Sequence, residues 1–256
     1  MIISILNYQH LQLKQIVMSK KLRISQIRHI ISTIHHRYPN QTTELHYQTP
    51  FQLIVAVILS AQTTDRQVNT VTQTLFRKVL GPSDILKLGQ KSLDHMISSI
   101  GLHHNKSKHI YSLASILSNP KRHHDTLNLC HHQDAHKMAH IYGYVIPDSI
   151  EKLISLPWVG IKTAKVVWSI LYDLPVIAVD THVHRVANRI WLVQTTQPLQ
   201  TDRKLPQVIP ADLIRLCHHS MILRGRYLCK AQKPLCHDCP LQSVCSRYWN
   251  HHHTKT

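Results

Sequence analysis

Apolar residues recur at helical spacing along most of this chain. Between residues 21 and 38 they return at every third or fourth position, which predicts an amphipathic helix. Sustained alternation of apolar and polar residues, the pattern of a strand, is missing, so the sequence predicts an all-α fold. The same helical periodicity predicts further helices over 51–61, 65–80, about 93–100, about 110–117, 148–156, 161–173, 181–194 and 208–223.

One stretch, 119–140, departs from this periodicity. It is rich in histidine and also carries Asp125, Asp134 and Cys130. All three residue types are metal ligands, which makes a metal site one interpretation. A flexible surface insertion that takes no part in the function is the favoured one.

The charge balance narrows the choice of partner. Thirty Lys and Arg residues face 13 Asp and Glu residues, which gives a formal charge of +17. This excess favours a polyanion, most often nucleic acid, because each neutralised phosphate releases condensed counterions. A base-biased genome that enriches lysine is the alternative. No apolar run reaches the roughly 18 residues of a membrane span, so we expect a cytoplasmic, nucleoid-associated protein without a membrane partner.

Four cysteines near the end of the chain have the most specific spacing in it. Cys229, Cys236, Cys239 and Cys245 are separated by six, two and five residues, and thiolates this close can surround one metal centre. Structural zinc sites usually pair two short Cys-x-x-Cys turns, whereas this chain has one such turn with longer arms, which favours the wider [4Fe–4S] cluster over zinc. Two disulfides are the least favoured alternative, because we expect a reduced, unexported chain.

A proline-to-glycine hairpin interrupts the helical pattern. Pro157 ends one helix and Gly160 begins the next, with Lys162 in its first turn. Free amides at a helix N-terminus bind phosphate, so the hairpin predicts a contact with DNA that ignores base sequence. The helix dipole disfavours a cation there, which favours the neutral amine that a Schiff-base nucleophile requires. Taken singly, Lys162 is simply a solvated lysine and Asp180 an N-cap; their combination with four thiolates points to function.

Together these features resemble bacterial endonuclease III, a family of helix–hairpin–helix DNA glycosylases that also cleave abasic sites. The resemblance extends from about Leu22 to Cys245 and leaves out 1–17 and about 119–140. The matching segments are 42–45 (TTEL), 60–65 (SAQTTD), 100–102 (IGL), 156–164 (LPWVGIKTA), 179–182 (VDTH), 224–227 (RGRY) and the four cysteines.

The resemblance implies two α-helical domains that flank a DNA-binding cleft. Residues 43–155 are expected to form a six-helix domain. Residues 21–42 and 156–256 are expected to form a discontinuous domain that carries the cluster. The helix–hairpin–helix, 150–173, is expected at their junction, and residues 1–20 are expected to be an N-terminal extension.

The resemblance also implies roles for individual residues. Lys162 matches the lysine that attacks C1′ of the damaged nucleotide, and Asp180 matches the carboxylate that assists it. The implied ligands of the [4Fe–4S] cluster are Cys229, Cys236, Cys239 and Cys245. The implied DNA contacts are Gln62 and Leu102, which fill the duplex where a base is flipped out, Val159 and Gly160 in the hairpin, and Lys230 and Lys233 between the first two cysteines.

The implied function is excision of oxidised pyrimidines from double-stranded DNA by a monomeric enzyme, followed by β-elimination at the abasic site. Two alternatives stay open. A monofunctional mismatch glycosylase usually lacks the lysine found here as Lys162 and has an extra C-terminal domain, for which we expect no room after Cys245. A non-enzymatic DNA-binding descendant with a four-cysteine metal module is the other.

Two residues depart from the family pattern. Trp158 stands where the family hairpin has a glycine, and Ile161 stands where relatives usually carry a basic residue. A tryptophan at a position that requires positive φ is strained. We expect both departures to affect phosphate binding more than the chemistry.

Overall fold

The computed structural model describes residues 22–39, 43–119 and 130–253, and none of these forms a strand. The all-α prediction is therefore confirmed. The α-helices are α1 (Ile24–Arg37), α2 (Pro50–Leu59), α3 (Asp65–Leu75), α4 (Pro82–Leu88), α5 (Gln90–Met96), α6 (His103–Leu117), α7 (Gln133–Tyr142), α8 (Ile150–Ile154), α9 (Ile161–Leu171), α10 (Thr181–Arg189), α11 (Pro198–Val208), α12 (Ile214–Leu223) and α13 (Ser246–His253). Short 3-10 turns lie at Ala211–Leu213 and Gln242–Val244, and a π-helical turn lies at Arg224–Leu228.

Four of these helices, α4, α7, α11 and α13, were not predicted, and α4 and α11 share one cause. Each begins with a proline, Pro82 or Pro198, which reads as a break in a sequence. Proline is well tolerated at the first helical position, because the amide it lacks has no acceptor there. The predicted helix 208–223 begins only at Ile214. Val208 is the last residue of α11, and a 3-10 turn at Ala211–Leu213 precedes Ile214.

The interpretation of 119–140 as a surface insertion is wrong for its second half. Residues 120–129 lie outside the described residues, but α7 begins at Gln133 and buries Ala135 and Met138. These side chains form a small core with Val145 and Tyr172. The sequence did not predict this helix, because most of its residues are polar and only a narrow face of it is apolar.

Two larger hydrophobic cores contain most of the other buried apolar residues of the described chain. Every residue of α2 is buried, and its apolar side chains lie in the first core together with apolar residues of α3, α4, α5, α6, α8 and α9. Helix α1 contributes to the second core, where it packs against α12. The residues that α1 buries there are Ile27, Ile30, Ile31 and Ile34. The C-terminal half of the chain thus folds back onto its first described helix.

The first core extends past the predicted domain boundary at residue 155. Val159, Ala164 and Val167 belong to it, since α9 packs against α2. The hairpin is therefore anchored in the first core, while α10 and α12 contribute to the second. The division into 43–155 and 21–42 with 156–256 stays a prediction. None of the described helices combines the length and the apolar character needed to cross a bilayer.

Candidate functional site

A cavity is lined by residues of α2, α9 and α12 and of the segments that follow α1 and α2. Lys162, Asp180 and Gln62, which are far apart in sequence, all line it. Lys162 is exposed in the first turn of α9, and Asp180 is half-buried. The structure therefore brings the predicted nucleophile and the predicted carboxylate to the same cavity.

The helix–hairpin–helix forms one wall of this cavity. Gly160 is the N-cap of α9 and has no side chain that could accept from the first-turn amides. Those amides have no acceptor within the helix, so they are available to a phosphate. Val159 differs from the prediction, because its side chain is buried and its amide already donates to the carbonyl of Leu156 at 3.2 Å. Its contribution is to packing of the hairpin.

Asp180 is held in place by the helix that it starts. Its Oδ1 accepts from the amide of Val183 at 2.8 Å, which is an N-cap interaction as predicted. Val179, the residue before Asp180, is connected to α9 through Asp202. The carboxylate of Asp202 accepts from the amide of Val179 at 3.4 Å and from Nζ of Lys165, on α9, at 2.6 Å. Lys165 lies about one turn after Lys162. Asp202 therefore helps to fix the position of the Lys162 amine relative to the Asp180 carboxylate.

Two histidines of α12 line the cavity and were not predicted. Burial, together with His219, Lys162 and Lys165, holds the pKa of His218 well below its ordinary value. Burial and nearby Arg226 lower the pKa of His219 to about 4. Both rings are therefore neutral at pH 7 and add no positive charge beside the amine of Lys162. Nothing in the sequence distinguishes them among 23 histidines.

An ion-pair cluster closes another side of the cavity and connects distant parts of the chain. Arg226 donates to Glu44 and, at 2.6 Å, to Oδ2 of Asp65. Tyr227 donates its hydroxyl to the same Glu44. Nearby, a Cβ on Gly225 would lie 2.6 Å from Cβ of His182, so only glycine allows this close approach to α10. Both acids therefore pair with Arg226 within the cavity wall.

The residues predicted to enter the duplex, Gln62 and Leu102, occupy two neighbouring loops. Both have left-handed backbones, with φ of 58° and 59°, and Leu102 remains 53% exposed. Lys106, which is 1% exposed, connects these loops. From α6, one turn after Leu102, its Nζ donates to the carbonyls of Leu59 and Ala61 at 2.9 and 2.7 Å.

We expect Lys106→Met to loosen the loop that carries Gln62. The substitution keeps the apolar stem and removes the donor, and hydrogen bonds from a charged group contribute about 1.5–3 kcal/mol each. The midpoint of thermal unfolding should fall, and single-turnover base excision should slow more than cleavage of a preformed abasic site. Lys108→Met, an exposed lysine on the same helix, is the control. Equal unfolding midpoints in the two variants would contradict a role for Lys106 in holding the loop of Gln62.

The hairpin departure at Trp158 has a visible structural effect. Its φ is 60°, which confirms that a side chain here adopts the conformation that favours glycine. The indole stacks on the ring of His109 with centroids 4.2 Å apart, and the residue is 43% exposed. Ile161, the second departure, is also exposed, at 44%. The indole therefore covers part of the surface beside the free amides of α9.

We expect Trp158→Gly to tighten binding to damaged and undamaged duplex alike. Relief of about 1–3 kcal/mol of backbone strain offsets the lost ring stacking and the greater flexibility of glycine, so stability should change little. The affinity gain should be severalfold, because amides that meet phosphate read neither sequence nor lesion. Affinities of the parent, Trp158→Gly and Trp158→Phe should be measured at two salt concentrations. Weaker binding by the glycine variant alone would show that the indole itself contacts DNA.

The four predicted cysteine ligands line a single small cavity near the end of the chain. All six cysteines of the chain are described and none is in a disulfide, which contradicts the disulfide alternative. Burial raises the pKa of the Cys236 thiol, and the nearby Cys239 and Cys229 raise it further. The cavity that the four thiols share is the observation that fits one centre with four ligands. Lys230 and Lys233 are exposed in the loop between the first two ligands.

Arginines surround this cavity. Arg224, which is 1% exposed, donates from Nη2 to Sγ of Cys239 at 2.7 Å, and Arg189 donates from Nη1 to Sγ of Cys229 at 3.2 Å. Nε and Nη1 of Arg224 are buried without an acceptor among the described residues, as is Nε of Arg247. Buried charged donors are costly when unpaired, so this arrangement fits an anionic group with acceptors of its own.

Comparison with known protein families agrees with both sites. Residues 55–211 match the HhH-GPD superfamily of base excision DNA repair proteins, and residues 229–245 match the iron–sulfur binding domain of endonuclease III. The chain belongs to the HhH-GPD superfamily, and within it to endonuclease III. It is accordingly a DNA glycosylase and abasic-site lyase of base excision repair.

Individual relatives extend this similarity over most of the chain. Endonuclease III of Rickettsia conorii is 42% identical over 83% of this chain and 91% of the relative. Endonuclease III of Bacillus subtilis is 38% identical over 88% of this chain and 93% of the relative. A solved non-covalent endonuclease III–DNA complex is 35% identical and covers 90% of this chain and 99% of its own, with a TM-score of 0.75.

A [4Fe–4S] cluster is the cofactor of this family and of this chain. Four thiolates supply the covalent ligands such a cluster requires. Its sulfides can accept from the buried donors of Arg224 and Arg247, so the residues present fit the group. When bound, the cluster supplies a rigid centre for the loop that bears Lys230 and Lys233.

Proposed function

We propose that this enzyme excises oxidised pyrimidines from double-stranded DNA and then nicks the strand, with Lys162 as the nucleophile and Asp180 as its assisting carboxylate. The observation that carries the proposal is the cavity that Lys162, Asp180 and Gln62 share. We further propose that the enzyme acts as a monomer on the bacterial chromosome in the cytoplasm. Support for DNA as the partner comes from the similarity to a structure of endonuclease III bound to DNA.

Binding would begin with phosphate contacts. The free first-turn amides of α9 at Gly160 and the exposed Lys230 and Lys233 offer sequence-independent contacts to the backbone. The target base then leaves the stack at a cost of a few kcal/mol, which is lower for a lesion. Gln62 and Leu102, presented on left-handed loops, would fill the space that the base leaves.

The chemistry then follows from the amine and the carboxylate. The neutral amine of Lys162 attacks C1′ and displaces the base, and the carboxylate of Asp180 stabilises positive charge that develops on the sugar. The departing base takes up a proton. Loss of a proton from Nζ and cleavage of the C1′–O4′ bond, with a proton added to O4′, then open the sugar ring and give an imine between Nζ and C1′. The imine makes the C2′ proton acidic, its removal expels the 3′ phosphate, and hydrolysis of the imine releases Lys162. Each proton lost passes to solvent or to a nearby base.

Trapping with borohydride tests this proposal. Borohydride reduces the imine to a stable amine, so the parent enzyme should become covalently joined to a duplex that contains thymine glycol. The same duplex with an abasic site or with an intact thymine provides the comparison. A covalent adduct with the abasic duplex but not with thymine glycol would overturn the proposed lesion class. Base release without any adduct would favour the monofunctional alternative.

A further inference from the structure

Three potential metal ligands that the proposed chemistry does not use meet beside the loop of Leu102. Asp94 lies on α5, and His103 and His104 are the first two residues of α6. One donor atom from each of the three residues lies within 4.8 Å of the others. They form the one cluster of this kind among the residues that the structure describes.

Both imidazoles face the same carboxylate through the same ring nitrogen. Nδ1 of His103 lies 2.9 Å from Oδ1 of Asp94, and Nδ1 of His104 lies 2.9 Å from Oδ2. The two rings are side by side, with centroids 4.0 Å apart. Ser107, which is 1% exposed, donates to Oδ1 of Asp94 at 3.1 Å and so fixes the carboxylate from the protein side. The three ligand groups are thus already arranged to converge.

We propose that Asp94, His103 and His104 bind one divalent transition-metal ion, of which zinc is the best fit. Two imidazoles and one carboxylate with an open fourth position for solvent form a known zinc ligand set. Zinc holds its ligands at about 2.0–2.2 Å, which small rotations of these side chains achieve. A histidine binds zinc through a ring nitrogen that carries no proton, so binding through Nδ1 requires the tautomer with its proton on Nε2.

The exposure of the three residues suits such an ion. The side chains of Asp94 and His103 are 24% and 26% exposed, whereas that of His104 is 79% exposed. The ion therefore has a route in from solvent and two partly buried ligands that limit its release. A cation at a helix N-terminus is disfavoured by the helix dipole, and the charge of Asp94 offsets this.

The position of the site gives it a consequence for DNA binding. Leu102 is the N-cap of α6 and immediately precedes both histidines. An ion held between α5 and α6 would bridge the two ends of the loop that presents Leu102. This consequence rests on the proposed function of Leu102, whereas metal binding itself does not depend on it.

Zinc binding by the full-length protein with its cluster in place tests the site. The parent, Asp94→Asn, His104→Asn and the matched control His95→Asn are dialysed against chelator-buffered zinc, and bound zinc and iron are counted per chain. His95 is exposed on α5, next to Asp94 and outside the cluster. We expect both cluster variants to bind one zinc fewer than the parent and the control, or to bind it at least about 10-fold more weakly.

Two further measurements make the result decisive. The visible absorbance of the iron–sulfur cluster should be equal in all four proteins, and His104→Asn, at an exposed position, should keep the parent's circular dichroism. Zinc should shift the Nδ1 resonances of His103 and His104 in nitrogen-15 spectra of the parent. Equal zinc content in all four proteins, or unshifted Nδ1 resonances, would overturn the proposal, and a failure of glycosylase activity would not bear on it.

Discussion

Lys162→Ala should abolish strand cleavage while fold and DNA binding remain nearly intact. Only the amine can form the imine with C1′, so the loss in rate should reach at least about 1,000-fold, as is usual when a nucleophile is removed. The side chain is exposed in the first turn of α9, where alanine is well tolerated. Single-turnover nicking of an abasic duplex measures the loss in rate. The affinity for DNA should fall by no more than the contribution of about one phosphate contact.

Two matched variants separate the possible roles. Lys162→Arg retains a long basic side chain that can still contact phosphate but cannot form the imine, so it should be as inactive as Lys162→Ala and bind DNA like the parent. Asp180→Asn keeps an N-cap, since asparagine caps as well as aspartate, and removes the charge. It should react slowly but still give some borohydride adduct. Nicking by Lys162→Ala at the parent rate would show that another group is the nucleophile.

Much of this site could be predicted because its residues belong to local patterns. The hairpin around Gly160 and the N-cap at Asp180 are signalled by short-range rules for helix ends, and the structure has both as predicted. Their convergence in one cavity did not follow from those rules. It came from the resemblance to a family, since spacing alone does not say which helix ends meet.

The residues that the sequence did not indicate are single polar side chains buried by tertiary packing. Lys106 looks like any surface lysine on a helix, yet it is 1% exposed and connects two loops. Arg224 and His218 are similar cases, because both become buried only when the C-terminal half packs around them. Burial of such residues depends on partners distant in sequence, which no local pattern encodes. The same holds for α7, whose narrow apolar face packs near Tyr172.

Cys236→Ser should lose the cluster and destabilise the end of the chain. A serine hydroxyl is a poor ligand for iron, and a cluster held by three thiolates is readily lost. Without the anionic centre, the buried guanidinium of Arg224 keeps only its contact with Cys239. Breaking a buried charge pair costs about 3–5 kcal/mol, so the midpoint of thermal unfolding should fall clearly. Iron content and visible absorbance should fall to near zero.

The remaining two cysteines provide the controls for this prediction. Cys130 and Cys217 lie outside the cluster cavity, and burial raises the pKa of both thiols, so each is a neutral core side chain. Cys130→Ser and Cys217→Ser should therefore keep full iron content and lose only modest stability, since each hydroxyl enters a hydrophobic core and the one at position 130 has Asp148 as a hydrogen-bond partner. A requirement for either residue in iron incorporation would mean that the ligand set is not the four C-terminal cysteines. Equal iron in Cys236→Ser and the parent would mean the same, because a ligand cannot be dispensable while the centre it holds stays intact.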